Sequence, residues 1–156
     1  MNAFSATDDI ARIIQLAVAP VFLIAGIGAL LNVLTARLGR VVDRGRAVEA
    51  ALAEDGAADR TSEIHKRLVA ELRSIDRRLA RINIAVTLST LAELLVCLVV
   101  VTLFTGELLG ADLSRIIAVQ FIATMAALIA GLVFFLGEIS IATRVLRVRT
   151  ELLEKG

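Results

Sequence analysis

The chain lacks several residue types on which many functional sites depend. Trp and Tyr are absent, and 156 residues include one cysteine (Cys97), one histidine (His65) and one proline. One cysteine cannot form an intrachain disulfide or a thiolate cage, and one histidine excludes a multi-histidine metal site. Neither a Walker sequence nor a nucleophile elbow occurs. We therefore expect no metal, no cofactor and no enzymatic activity.

The chain also carries almost no net charge. Seventeen basic and sixteen acidic residues leave a formal charge of +1, so no global field attracts nucleic acid. Hydrophobic residues nevertheless make up 58% of the chain, above the roughly 45–50% of soluble domains. Charged residues make up 21%, so the two classes must occupy different segments. The composition predicts an integral membrane protein that contacts the lipid bilayer and carries a polar part outside it.

Three apolar stretches are long enough to cross a bilayer. They cover residues 13–34, 82–105 and 116–138, and a helix needs about 20 apolar residues to span the hydrocarbon core. Backbone polar groups in lipid must bond within their own segment, so each stretch is predicted to be helical. Asp8 and Asp9 precede the first stretch, where a signal peptide carries basic residues, and we expect this helix to be retained.

The segment 35–81 is predicted to form an antiparallel helical hairpin between the first two spans. Its apolar residues recur at steps of three and four, which is typical of a helical seam. The seam consists of Leu34, Leu38, Val41, Val48, Leu52, Ile64, Leu68, Leu72, Ile75, Leu79 and Ile82. A turn-like cluster at 54–59 separates the arms, and Asp59 is a candidate N-cap. The other segments outside the spans are 1–12, 106–115 and a C-terminal helix at 139–156.

The basic residues predict an orientation. Eleven of the seventeen lie between Arg37 and Arg81, and four lie between Arg144 and Lys155. Because cytoplasmic loops are enriched in Lys and Arg, we expect the hairpin and the C-terminus in the cytoplasm and the N-terminus outside. The fold expected is an all-α integral membrane protein with three transmembrane helices and a cytoplasmic hairpin.

Glu93 is the strongest candidate functional residue, because it lies near the middle of the second span. A charge there costs roughly 2.5–3.5 kcal/mol on insertion scales. The carboxyl could bind an ion or proton on a conduction path, or it could join helices by hydrogen bonding. Other polar residues share its face at steps of three and four, and interhelical bonding also accounts for several of them. This polar stripe consists of Asn83, Thr87, Thr90, Glu93 and Cys97.

Two further features of the spans bear on assembly and conduction. Gln120, in the third span, is a candidate second polar contact of the ion pathway, and an interhelical hydrogen bond accounts for it equally well. Small residues recur at every fourth position of that span, in one row of Ala123, Ala127 and Gly131 and a parallel row of Ala126 and Ala130. Such rows let helices approach closely. We expect a homo-oligomer, while packing within one chain accounts for the same rows.

Arginines cluster at the membrane ends of the hairpin. Such residues contact lipid headgroups, at about 1 kcal/mol each near an anionic surface. The candidates for headgroup or anion contact are Arg37, Arg40, Arg44, Arg73, Arg77 and Arg81.

Three short sequences within residues 15–49 resemble a known family. They are Ala19-Pro20-Val21-Phe22, Leu31-Asn32-Val33-Leu34 with Arg37-Leu38, and Val42-Asp43-Arg44 with Arg46. They resemble a family of small bacterial membrane proteins, domain of unknown function 2721. The resemblance extends through the second span. It implies three membrane helices and no established activity. The location we expect is the inner membrane of a bacterium.

Two functions remain open from the sequence. The first is a homo-oligomeric ion channel or transporter in which Glu93 and the polar stripe face the conduction path. The second is a membrane scaffold or insertase-like protein whose hairpin binds a protein partner. The second rests on a similar layout of spans and hairpin, and no sequence motif supports it.

Overall fold

Three long α-helices form the part of the chain that the structure describes. The computed structural model describes the backbone of residues 3–55 and 63–153, and the side chains of residues 14–15, 18–54 and 63–140. Helix α1 runs from Ala3 to Asp55, α2 from Glu63 to Leu109 and α3 from Ser114 to Leu153. Those ranges contain no strand, which confirms the all-helical prediction. Asp59, the candidate N-cap, lies outside the described residues.

Each helix extends well beyond its apolar stretch. Helix α1 continues from the first span into a segment rich in Arg, Ala and Glu, residue types with high helix propensity. It also contains Pro20, which is buried. Proline is tolerated in membrane helices because neighbouring groups satisfy the freed carbonyl. The helices therefore carry the charged segments as direct continuations of the spans.

A tight turn at residues 110–113 joins α2 to α3. Gly110 has a φ of 62°, a conformation that glycine adopts without strain. Its N–H donates to the Glu107 carbonyl at 3.2 Å, and the Ala111 N–H donates to the Gly106 carbonyl at 2.9 Å. This is the Schellman pattern of a helix C-terminus. The connection is thus shorter than the predicted segment 106–115, because helical hydrogen bonding continues to Leu109.

The chain divides into two compact units, and the first contains most of the apolar spans. It comprises Met1–Asn32 and Thr87–Gly131. Ile27 of α1 and Ala92 and Val96 of α2 form its buried core. Leu23, Ile24, Leu31, Ala127 and Leu128 pack around them. Ala127 therefore contributes to packing within one chain, as one of the two interpretations of the small-residue rows predicts.

The second unit contains the predicted hairpin. It comprises Val33–Val86 and Leu132–Gly156. Four residues of the predicted seam are buried, namely Leu34, Val48, Ile75 and Ile82. A Cβ on the buried Gly45 would stand 3.4 Å from Ile75 Cγ2, so the arms contributed by α1 and α2 are in close contact. Ile64 differs from the rest of the seam because 63% of its surface is exposed.

Large apolar side chains cover much of the surface of the spans. Phe22 of α1, Leu94 of α2 and Ile122 of α3 are each more than 60% exposed. Such a surface is unfavourable in water and favourable against lipid chains. All three helices are long and apolar enough to cross a membrane.

Candidate functional site

Glu93 lies against α1 in the first unit. Its side chain is half-buried, and a Cβ on Gly28 would stand 3.9 Å from its Oε1. A Cβ at that distance would be in ordinary van der Waals contact, so the carboxyl packs against α1 at Gly28. The two neighbours of Glu93 in the core, Ala92 and Val96, are buried. The carboxyl is therefore held at the edge of the apolar core, near the middle of the α2 span.

The rest of the polar stripe is exposed on the surface of α2. Asn83, Thr87, Thr90 and Cys97 all lie on this exposed face. At about 100° per residue, Glu93 falls at the margin between that face and the buried face, which explains its intermediate exposure. Asn83 belongs to the second unit and the other stripe residues to the first. The stripe thus forms a polar surface, and only Glu93 reaches towards the core.

Other polar groups in the first unit are buried. Ser89 and Thr124 are fully buried, and the Thr124 hydroxyl donates to the Gln120 main-chain carbonyl at 2.8 Å. Gln120 is half-buried, and its Oε1 has no hydrogen-bond partner among the described residues. Ser89 was not among the predicted site residues. Its spacing from Ile82, Ala85 and Ala92 places it on the buried face of α2.

A second site, the basic cavity, lies in the second unit. Its volume is about 240 Å³. Three helices contribute to it. The lining residues are Arg37, Arg40, Val41 and Arg44 of α1, Ile75, Arg78 and Ile82 of α2, and Glu138 of α3. Four arginines and one glutamate therefore line the cavity.

Glu138 is the most deeply buried charged group of the basic cavity. Its side chain is 1% exposed, and its Oε1 accepts a hydrogen bond from Arg78 Nε at 2.8 Å. The other carboxylate oxygen, Oε2, is buried and has no hydrogen-bond partner in the part of the chain that the structure describes. A buried carboxylate is unfavourable unless it is paired and hydrogen-bonded. Arg78 supplies one partner and leaves the second oxygen to another donor.

Arg37 has an unsatisfied donor in the same cavity. Its guanidinium carbon lies 5.6 Å from the centroid of the Phe135 ring, within the range of a cation–π contact. Its Nη1 is buried and lacks a hydrogen-bond partner among the described residues. Two residues that line the basic cavity thus each carry one buried atom without a partner among the described residues, a donor on Arg37 and an acceptor on Glu138.

The outermost arginine of the cavity is paired at the surface. Arg44 Nη2 lies 2.6 Å from Glu71 Oε1, and Arg44 Nε donates to the same oxygen at 2.8 Å. This pair joins α1 to α2. The positive charge of the cavity that no described carboxylate pairs therefore lies on Arg37 and Arg40.

The structure brings together only half of the six predicted arginines. Arg37, Arg40 and Arg44 line the basic cavity. Arg73 instead lies beside Glu49 and Asp76, away from that cavity. Arg81 Nε donates to the main-chain carbonyl of Arg77 at 3.2 Å. Both Arg73 and Arg77 are exposed.

Arg78 and Glu138 were missed as candidate site residues. The available signal was that Glu138 is the one charged residue between Arg115 and Arg144. A lone carboxylate at the end of an apolar stretch requires a cation, and the arginine-rich hairpin supplies one. Nothing in the sequence indicated which arginine pairs with Glu138. Among the described residues, no cluster of His, Cys, Asp and Glu is placed to hold a metal ion.

These features define a multi-pass membrane protein, with three apolar helices and their charged continuations. Residues 17–148 match the family model described as a protein of unknown function, DUF2721. The chain belongs to this family, which confirms the resemblance drawn from residues 15–49. Comparisons with curated proteins and with solved structures gave no significant match.

Proposed function

We propose that this protein is a homo-oligomeric ion channel or transporter in which Glu93 binds the transported cation or proton. The observation that carries the proposal is the half-buried Glu93 carboxyl beside Gly28, near the middle of the α2 span. An ionisable group at that depth is expensive and is typical of ion pathways and proton relays.

The energetics favour a role in ion binding. An unpaired carboxylate near the bilayer centre costs roughly 2.5–3.5 kcal/mol. A bound cation or proton removes most of that cost, because it neutralises the charge in the low-dielectric core. Release on the other side of the membrane would restore the carboxylate. In this mechanism Glu93 alternates between an occupied and an empty state.

Assembly of several copies would complete the pathway. The polar stripe is exposed on one chain, and three helices alone form too thin a bundle to enclose a pore. A second copy or a water-filled path against Thr87, Thr90 and Cys97 would shield these residues from lipid. Gln120 of α3 is a candidate contributor from the first unit.

The topology proposed follows the distribution of basic residues. The N-terminus and the turn at 110–113 would lie outside, and the hairpin and C-terminus in the cytoplasm. The membrane proposed is the inner membrane of a bacterium. A membrane-impermeant maleimide should then label Ala111→Cys in intact cells, in a Cys97→Ser background. Glu63→Cys should react only after the membrane is opened.

Flux measurements test the proposed function. Purified protein in liposomes should carry a proton or potassium flux above that of empty liposomes, and Glu93→Gln should lower it at least tenfold. Glu107→Gln is the matched control, because it makes the same change at the exposed end of α2. Flux that Glu93→Gln leaves unchanged would remove Glu93 from the mechanism. Wild-type protein without flux would contradict transport of these ions.

The second candidate is a scaffold or insertase-like protein, and the exposure of Ile64 favours it. Ile64 continues the hairpin seam but is 63% exposed, which suits contact with a protein partner. A photo-crosslinker at Ile64 should then give one defined adduct with a membrane protein, and deletion of residues 46–66 should abolish partner binding. A crosslinker at the exposed Glu54 is the control. Equal crosslinking at both positions would count against a specific partner. We propose no catalytic activity and no cofactor for either function.

A further inference from the structure

We propose that the basic cavity binds a phosphate monoester group, carried by an acidic lipid or present as free phosphate. The inference does not depend on ion transport through Glu93. It rests on the charge of the cavity, on its two unsatisfied buried groups and on the place of its residues in the sequence.

The charge of the cavity favours a dianion or a monoanion over any cation. Arg37, Arg40, Arg44 and Arg78 carry four positive charges, and the carboxylates of Glu138 and Glu71 pair with two of them. The remaining formal charge is +2. A phosphate monoester carries about −1.5 to −2 at neutral pH. Its dianion neutralises this excess, and its singly protonated monoanion neutralises half of it. Guanidinium groups also match phosphate oxygens in geometry.

The unsatisfied groups specify a ligand that both accepts and donates. Arg37 Nη1 is a buried donor, and Glu138 Oε2 is a buried acceptor, both without a partner among the described residues. A singly protonated phosphate monoester offers oxygens to Arg37 and Arg40 and a hydroxyl to Glu138. A phosphodiester has no hydroxyl on phosphorus, so its phosphate group would leave the Glu138 oxygen unsatisfied. The cavity should therefore prefer a monoester to a diester.

Two contacts hold the cavity in place before a ligand binds. Phe135 lies against the Arg37 guanidinium at 5.6 Å, and Glu138 fixes Arg78 through the bond at 2.8 Å. Side chains that are already oriented lose less entropy on binding. Glu138 is thus a positioning residue for Arg78 as well as a contact for the phosphate hydroxyl.

The sequence places the cavity residues at the ends of the apolar stretches. Arg37 and Arg40 follow the stretch 13–34, and Glu138 comes two residues after Leu136. Arginines directly beside a span lie at the depth of lipid phosphates. The lipid source is phosphatidic acid, whose headgroup is a phosphate monoester. The soluble source is inorganic phosphate.

Thermal unfolding of the purified full chain in detergent tests the proposal. Circular dichroism is the suitable signal, because the chain has no Trp or Tyr. Phosphatidic acid should raise Tm by several degrees in a saturable way, since a ligand that binds only the folded state stabilises it. Phosphatidylethanol, an anionic diester without a headgroup hydroxyl, should have a smaller effect, and phosphatidylcholine none. A rise with inorganic phosphate that phosphatidic acid does not exceed would support the soluble source.

Variants distinguish a specific binding site from a general electrostatic attraction. Arg37→Gln with Arg40→Gln should raise the apparent Kd for phosphatidic acid more than about tenfold. Arg46→Gln with Arg67→Gln is the matched control, because it also removes two positive charges, at exposed residues of α1 and α2 that do not line the basic cavity. Arg37→Lys with Arg40→Lys should retain part of the affinity, since it keeps the charge and loses the planar fork. Equal losses in the two Gln pairs would overturn the proposal.

Glu138→Gln tests the lipid preference of the cavity, which would not change if Glu138 had a purely structural role. The amide can still accept from Arg78, but it presents an N–H where Glu138 has an acceptor. Phosphatidic acid should then lose its advantage over phosphatidylethanol, and their apparent Kd values should become equal within about twofold. An unchanged preference would overturn the role of Glu138. No phosphate-dependent change in Tm of wild-type protein, from any source, would overturn the site itself.

Discussion

Among the described side chains, the Arg78–Glu138 pair is the contact in which removal of one charge should lower the free energy of unfolding most. Glu138 is 1% exposed while Arg78 is one-third exposed. We expect Arg78→Ala to lower the free energy of unfolding by about 2–4 kcal/mol, because it leaves a buried carboxylate without a partner. Adding Glu138→Gln to Arg78→Ala should recover part of this loss. Denaturant unfolding followed by circular dichroism measures both effects.

Arg44→Ala is the matched control for that experiment. Arg44 and Glu71 also pair across α1 and α2, but their side chains are 63% and 39% exposed. Exposed pairs contribute about 0–1 kcal/mol, so the cost of Arg44→Ala should stay below about 1 kcal/mol. Similar costs for Arg44→Ala and Arg78→Ala would show that burial of Glu138 does not govern the pair.

Asp112, in the turn between α2 and α3, predicts a pH dependence. Its Oδ1 accepts hydrogen bonds from the Ser114 hydroxyl at 2.5 Å and from the Ser114 N–H at 3.1 Å. The hydroxyl chiefly, and then the N–H, lowers the pKa of Asp112 below its ordinary value of 3.8. The ionised carboxylate therefore stabilises the folded state above pH 3.8. This contribution is lost as the pH falls through the lowered folded-state pKa.

Ser114→Ala tests this pH dependence. It removes the larger cause of the shift, so the pKa of Asp112 should rise towards 3.8, as measured by NMR titration of the carboxyl carbon. The Tm difference between wild type and Ser114→Ala should be present at neutral pH and shrink under acidic conditions. A difference that grows on acidification would have the wrong sign for a carboxylate that accepts hydrogen bonds.

Among the elements, the end of α2 depends most on a single backbone conformation. Gly110 adopts a φ of 62°, which costs an L-residue roughly 1–2 kcal/mol. Gly110→Ala should therefore lower the free energy of unfolding by about 1 kcal/mol. Gly39→Ala is the matched control, because Gly39 is helical and exposed, and nothing lies within 4 Å of an added Cβ. It should raise stability by about 0.5–1 kcal/mol. Changes of the same sign would contradict the assignment of the turn.

The helices could be predicted from the sequence because the patterns that indicate them are local. Twenty apolar residues in lipid must be helical, and the seam through Leu34, Val48, Ile75 and Ile82 follows from its spacing. The basic cavity could not be predicted in the same way. It requires Arg37, Arg78 and Glu138, which lie on three helices far apart in sequence, to meet. Arg73 and Arg77 carry the same local signal as Arg78 but face elsewhere, because each step of one residue rotates a side chain by about 100°.

For the whole molecule, the property that decides the proposed function is the number of chains in the assembly. The proposed pathway needs several chains, and the polar stripe on α2 is the face that would meet a neighbour or a water-filled path. Cys97 is exposed on that face. In membranes, a short bismaleimide should join two chains through the native Cys97.

A cysteine at Ile122, in a Cys97→Ser background, is the matched control for the crosslinking. Ile122 is 67% exposed on α3, so both positions are exposed, and Ile122 lies on a different helix from the polar stripe. We expect at least fivefold less dimer from Ile122→Cys than from Cys97. Native mass spectrometry in detergent should then give a fixed multiple of 16.7 kDa. Particles of one chain with no dimer through Cys97 would contradict the channel, because a single three-helix chain cannot enclose a path past Glu93.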